Sequence, residues 1–183
     1  MIRELIYSDL YRYIGKRSFY LLIKSLKNSP GFRYTFFLRI QAHFGRRSFI
    51  GFFSYLFYRK YCFKYQIQIP PTVKIGKGFM MPHFGGIVVN SKSVIGNNCN
   101  ILQNVTIGRT NRGRLNGAPV IGNQVYIGPG AVIVGKVLIG DNVLIAPNSY
   151  VNFDVPKNSI VLGNPAKILP NDNAVMGYIS NVV

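Results

Sequence analysis

Acidic residues, cysteine, histidine and long apolar runs are all scarce in this chain of 183 residues: five Asp and Glu, two Cys and two His. Two cysteines, Cys62 and Cys99, exclude the dense disulfide framework of a small secreted scaffold and fit a reducing cytoplasm. The longest apolar run, FIGFFSYLFY from Phe49 to Tyr58, is well short of the roughly 20 residues a membrane-crossing helix needs. The opening segment MIRELIYSDLYRYIGKRSF interrupts its apolar residues with charge every few positions and does not read as a signal peptide. Between Asp9 and Asp141 there is no Asp or Glu at all, and no metal ligand set is expected.

Basic residues are abundant. Twenty-two Lys and Arg against five acids give a net charge of +17, which favours an anionic partner or surface. The excess is concentrated at the front, where residues 1–65 carry 13 basic and 2 acidic side chains. This region reads as helices broken near NSPG (Asn28 to Gly31) and is rich in Tyr and Phe. Two readings of it stand together: an interfacial region on an anionic membrane leaflet, or a cap packing its aromatics on the rest of the protein. No recognised nucleic-acid motif accompanies the charge, and no nucleic-acid partner is expected.

From residue 66 onward the pattern changes to a repeat. Ile121, Ile127, Ile133, Ile139, Ile145 and Val151 fall every six residues; Val89, Ile95, Ile101 and Ile107 keep the same spacing, as do Ile69, Ile75 and Met81. Gly76, Gly96, Gly108, Gly122, Gly128 and Gly140 each follow one of these, and the fourth residue on is small or branched, from Ser93 through Val137 to Val155. A six-residue rung buries its aliphatic side chain only when neighbours stack on it, so the period predicts a solenoid with eighteen residues per three-sided coil. The glycines suit its turns because they tolerate backbone angles that residues with a Cβ resist. A β-sandwich would instead show period-two alternation.

The register breaks twice. Met81 to Val89 spans eight residues where six are expected, which places two extra residues beside His83; Ile107 to Ile121 spans fourteen, so RTNRGRLNGA (Arg109 to Ala118) loops out. Solenoids carry function on such insertions.

The stretches KIGKGFMMPHFGGIVVNSKSVIGNNCNILQNVTIG, VIGNQVYIGPGAVIVGKVLIGDNVLIAPNSYV and VLGNPAKIL resemble the hexapeptide-repeat, left-handed β-helix acyltransferases, and most closely the serine acetyltransferase group, over about Ile67 to Leu169. The resemblance implies a left-handed parallel β-helix over 66–169, preceded by the helical region 1–65 and followed by a tail, 170–183. It implies a homotrimer that uses acetyl-CoA, with active sites between subunits. His83 stands where the family has its general base, a role suited to imidazole with its ordinary pKa of about 6.5; His43 has no motif around it and reads as surface. The cofactor groove would be lined by Gly108, Thr110, Gly128, Pro129, Ala146 and Pro147, with Gly163, Pro165 and Lys167 at its phosphate end; Lys167 and Lys136 read equally as cations for the nucleotide phosphates and as plain surface lysines.

The departures steer the expected acceptor. The family carries an aspartate fifteen residues before the histidine and another directly before it; here those places hold Gln68 and Pro82. An Arg-His pair at the loop end is replaced by Gly117 and Ala118. With no partner in view for a substrate ammonium, the expectation is transfer of acetyl to a sugar hydroxyl of a surface polysaccharide or its lipid-linked precursor. Gln68, Phe84, Asn90, Gln103, Asn104, Arg109, Arg112 and Arg114 are the candidate acceptor contacts, with the enzyme cytoplasmic or peripheral on the inner membrane face. The alternatives are a serine O-acetyltransferase of cysteine biosynthesis and a non-catalytic β-helix scaffold.

Overall fold

The computed structural model describes residues 2–183. Four helices come first: α1 (Ile2–Ile14), α2 (Phe19–Asn28), α3 (Pro30–Phe44) and α4 (Phe49–Tyr65). Proline at the first position of α3 ends α2 and starts the next helix, since its ring cannot continue the helix before it but fits the first turn of the one after. Ser48 caps α4 by accepting from the Gly51 N–H at 3.0 Å.

The remainder is a three-sided parallel β-helix. The first face stacks β1 (Ile67–Gln68), β3 (Ile87–Val89), β6 (Thr106–Gly108), β9 (Val132–Val134) and β12 (Tyr150–Val151). The second stacks β2 (Lys74–Ile75), β4 (Val94–Ile95), β7 (Val120–Ile121) and β10 (Leu138–Ile139). The third stacks β5 (Asn100–Ile101), β8 (Val125–Ile127), β11 (Val143–Ile145) and β13 (Ser159–Leu162), and closes with β14 (Lys167–Pro170), which runs antiparallel to β13. Of the thirteen residues in the six-residue register, all but Ile75 are buried, and the small residues two before them point inward as well.

Strand pairing locates the insertions. Val89 pairs with Ile107 and Ile133 with Val151, eighteen residues apart, whereas Ile67 pairs with Ile87, twenty apart, and Ile107 with Ile133, twenty-six apart. A third break lies in the last coil. Ile139 bridges Val155 and Ile145 pairs with Val161, both sixteen apart, so two residues are missing from the corner around Asp154. Val155, which even spacing assigns to the small position, occupies the aliphatic one.

The structure also corrects the reason for the glycines. Gly96, Gly122 and Gly140 have ordinary backbone angles; a Cβ on Gly96 would lie 2.4 Å from the Gly122 carbonyl oxygen, so close stacking of the coils is what demands glycine there. The left-handed corner angles fall on other residues, on asparagine and glutamine such as Asn98, Asn104, Gln124, Asn142 and Asn148, and on glycines outside the repeat position such as Gly78 and Gly130.

The helices close the open end of the stack. Asp9 and Arg39 form a buried bidentate ion pair at 2.8 and 3.0 Å. Arg39 also donates to the carbonyls of Ile75 and Gly76, while Asp9 accepts from the Phe79 N–H at 2.8 Å. Removing the charge of one partner in such a pair leaves the other buried and uncompensated. Asp9→Asn is expected to cost about 3–5 kcal/mol, read as a lower urea midpoint; Lys77→Gln, which breaks the exposed Lys77–Glu4 pair, is expected to leave the midpoint nearly unchanged.

Candidate active site

His83 sits on the widened corner between the third and first faces. The strand leaving Met80, which bridges Asn100, turns through Pro82 to Gly86 before entering β3. The turn depends on glycine at its end: Gly86 has φ +65, and a Cβ there would lie 2.2 Å from Asn104 Oδ1. Beneath it, Asn104 donates its N–H to the Gly85 carbonyl at 2.7 Å. His83 is thereby held out at the edge and is exposed, beside Phe84, whose ring lies 5.1 Å from that of Tyr65. Among the described residues no hydrogen bond orients the imidazole within its own chain. His43, at the end of α3, is exposed and sits edge-on against Phe44.

The same edge continues coil by coil. Gly130 donates to the Gln103 carbonyl and Asn148 to the Pro129 carbonyl, which stacks Gln103 and Asn104, then Gly128 to Gly130, then Ala146 to Asn148 in one line below His83. Tyr150 donates to the Gly163 carbonyl, bringing Gly163 and Pro165 to the foot of that line, with Lys167 at the start of β14. Gln103 Oε1 is buried there and has no hydrogen-bond partner among the described residues.

Gly108, Thr110, Asn90 and the loop Arg109 to Ala118 lie at the other end of the first face, on its corner with the second. Extended chain from Gly86 to Asn90 separates the two edges by roughly 13 Å at about 3.3 Å per residue. The loop is ordered: Thr110 and Gly117 exchange two backbone hydrogen bonds of 3.0 Å, Arg109 donates to Asn116 Oδ1 at 3.2 Å, and Leu115 packs on the core. Arg112 and Arg114 point to solvent. Gln68 lies on the first face and lines a cleft of about 380 Å³ with Arg59, Phe63 and Val88, between α4 and the sheet.

Two charged side chains meet at the loop corner: Lys136, expected from the sequence only as a cation for the nucleotide phosphates, and Asp154, which the sequence did not single out. Lys136, one coil below the loop, packs on Gly117, where a Cβ would come within 2.8 Å of the lysine's own Cβ. Asp154, on the shortened corner of the next coil, accepts from the Leu138 N–H at 2.8 Å. Both line one cleft of about 230 Å³ with Ala118, and they do not pair with each other among the described residues. The missing signal is the step of four, not six, from Val151 to Val155. Cys99 is no nucleophile: burial pushes its thiol up to about 12, and it donates to the Gly122 carbonyl at 3.2 Å.

The family description "Bacterial transferase hexapeptide (six repeats)" matches residues 118–152. Serine acetyltransferase 2 of Arabidopsis thaliana is 39% identical over 103 residues, 56% of this chain and 32% of that one. The serine acetyltransferase of Helicobacter pylori is 36% identical over 106 residues, 58% of this chain and 62% of that one. The chain thus spans from a third to three-fifths of the length of these curated relatives. The solved structure of soybean serine acetyltransferase complexed with serine is 32% identical, with a TM-score of 0.75, over 92% of this chain and 69% of that one.

These likenesses overturn the expected sugar acceptor on a polysaccharide or lipid-linked precursor. That expectation rested on four positions read along the chain, Gln68, Pro82, Gly117 and Ala118, and on the apparent lack of partners for an amino acid's charges. Stacking supplies charges that linear reading misses, because Lys136 and Asp154 come from later coils to the place where the loop ends. The β-helix, its hexapeptide register and its likeness to solved relatives agree: this chain belongs to the hexapeptide-repeat transferases, in their serine acetyltransferase group, and its β-helix is left-handed.

Proposed function

We propose that the chain is an acetyl-CoA-dependent O-acetyltransferase whose acceptor is L-serine, with His83 as general base. The observation that carries this reading is the exposed histidine on a corner widened by two residues, in a chain similar to serine acetyltransferases over nine-tenths of its length. Neutral imidazole takes the proton from the serine hydroxyl as the oxygen attacks the thioester carbonyl. The carbon–sulfur bond then breaks, and the imidazolium returns the proton to the departing thiolate, leaving O-acetylserine and coenzyme A.

The edge below His83 suits the long, mostly uncharged arm of acetyl-CoA. Its corners at Gly128, Pro129, Ala146 and Pro147 present backbone and little side chain, the free Gln103 Oε1 accepts an N–H, and Lys167 offers a cation toward the phosphates at the foot. Serine brings a carboxylate and an ammonium, and burying either unpaired is costly. Lys136 and Asp154 answer the two charges from opposite signs in one cleft, with Arg109 on the loop above.

His83 and that cleft stand on different edges of the prism, so one copy cannot bring both to a single substrate. A head-to-tail contact, in which the His83 edge of one copy meets the loop edge of the next, completes the site and closes into a ring of three. We therefore assign the working form as a homotrimer with its active sites between copies, Gly108 and Thr110 reaching the cofactor from the neighbour.

His83→Ala is expected to lower kcat by 10²- to 10⁴-fold while coenzyme A binding by calorimetry stays within a few-fold. Turnover close to the parent's would remove His83 from the reaction, and turnover of acetyl-CoA with other hydroxyl acceptors but not L-serine would overturn the acceptor.

Asp154→Asn and Lys136→Gln are each expected to raise KM for serine more than tenfold with KM for acetyl-CoA little changed. Refolding His83→Ala together with Asp154→Asn is expected to give, at serine well below the parent's KM, more turnover than the average of the two variants alone, because some sites then pair an intact His83 with an intact Asp154. No gain over that average would place both groups in one copy.

A further inference from the structure

The outer face of α4 is unusual for a surface helix. Phe49, Phe52, Phe53, Leu56 and Phe57 recur at helical spacings of three and four, Phe63 continues the stripe beyond Lys60, and all six are exposed, Phe49 to 80% and Phe63 to 71%. The opposite face, Gly51, Ser54, Tyr58 and Tyr65, is the one buried against α3 and the first coil. Six large apolar side chains in one stripe exceed the scattered apolar exposure normal on a monomer. They are not an extension of the proposed active site, since His83 lies on the corner beyond Tyr65.

The charges around the stripe are of one sign. Arg46 and Arg47 precede the helix, and Lys60 and Lys64 emerge within and beside the stripe, all exposed. Arg46 lies 4.4 Å over the Tyr55 ring and Arg59 4.9 Å over that of Phe63, so the aromatics and cations form one surface. No carboxylate is present from residue 10 to residue 140. A second copy docked through the same face would set these cations against their own duplicates with nothing to neutralise them. An anionic lipid surface meets both demands at once: aromatic rings settle at headgroup depth while arginine and lysine reach the phosphates. Among the described residues no helix is long and apolar enough to cross a membrane, so contact would be in the plane of the interface.

We propose that the outer face of α4 docks the protein on anionic lipid bilayers. The test is sedimentation of the full chain with vesicles of phosphatidylglycerol and phosphatidylcholine in equal parts, beside vesicles of phosphatidylcholine alone. Binding is expected to the anionic vesicles only, and to fall at least tenfold in 1 M salt, where screening acts within about 3 Å. The fourfold variant Phe49→Ser, Phe52→Ser, Phe53→Ser, Leu56→Ser changes exposed residues only. It is expected to lose binding at least tenfold while circular dichroism and the mass by light scattering stay those of the parent. Absence of binding to anionic vesicles, or equal binding to neutral ones, would overturn the proposal. So would a variant of smaller mass, which would show that another copy covers the face.

Discussion

Everything in this structure answers to the open edge of the first coil. A parallel β-helix satisfies the backbone of each coil with the coils above and below, so the coil that starts the stack presents a row of unpaired groups. Here the helical region supplies the partners. Tyr34 and Tyr58 donate to the Ile69 carbonyl, and Tyr34 also accepts from the Ile69 N–H. Tyr13 exchanges the same two bonds with Met81, and Arg12 donates to the Gly78 carbonyl and to Asn100 Oδ1. The buried Asp9–Arg39 pair serves Ile75 and Gly76 at the end of the second face and Phe79 past its corner. Part of the aromatic and arginine content of the front region is therefore structural: Tyr13, Tyr34, Tyr58, Arg12 and Arg39 substitute for a strand that is not there.

The other end is handled differently. β14 folds back antiparallel on β13, and the tail then climbs the third face, burying Ala174 and Val175 against Leu144 and setting Tyr178 on Tyr126. It ends beside α1, where Arg12 donates to the Ser180 carbonyl and Asn98 binds Val183 through both backbone groups. One arginine thus touches the first coil, the second coil and the returning tail.

How much of this was legible in the sequence follows from how local each cause is. The β-helix was legible because burial repeats every six residues and the repeat survives inspection by eye; the two insertions were legible because they break it by adding residues. The deletion was not, because Val155 fits the small position as well as the aliphatic one, and only pairing with Ile139 decides. The role of the stacked glycines was misassigned for a related reason. Composition cannot separate a glycine needed for its φ from one needed for the 2.4 Å gap above it. His83 stood out through its surroundings in the chain, whereas Asp154 reaches the cleft of Lys136 only because its coil is shortened to sixteen residues, which sets it beside Leu138. The absence of carboxylates from Asp9 to Asp141 was a correct observation that carried a wrong conclusion, since a solenoid brings residue 154 to the neighbourhood of residue 118.

What remains free after both ends and the third face are covered narrows where chemistry can occur. The helices occupy the top, β14 the foot and the tail the third face, so the first face, the second face and the two edges that bound the first are left. His83 lies on one of those edges and the loop with its cleft on the other. Val88 and Tyr150, exposed on the face between them, are apolar and aromatic, the character expected of a surface that another copy covers, with Gln68 the exposed polar residue at its upper end. The same packing that stabilises a single prism therefore divides its functional groups between two edges. In the trimer proposed above that division would serve transfer: a site closed only by a neighbour would exclude water from the thioester while leaving the long arm of the cofactor an open groove to enter.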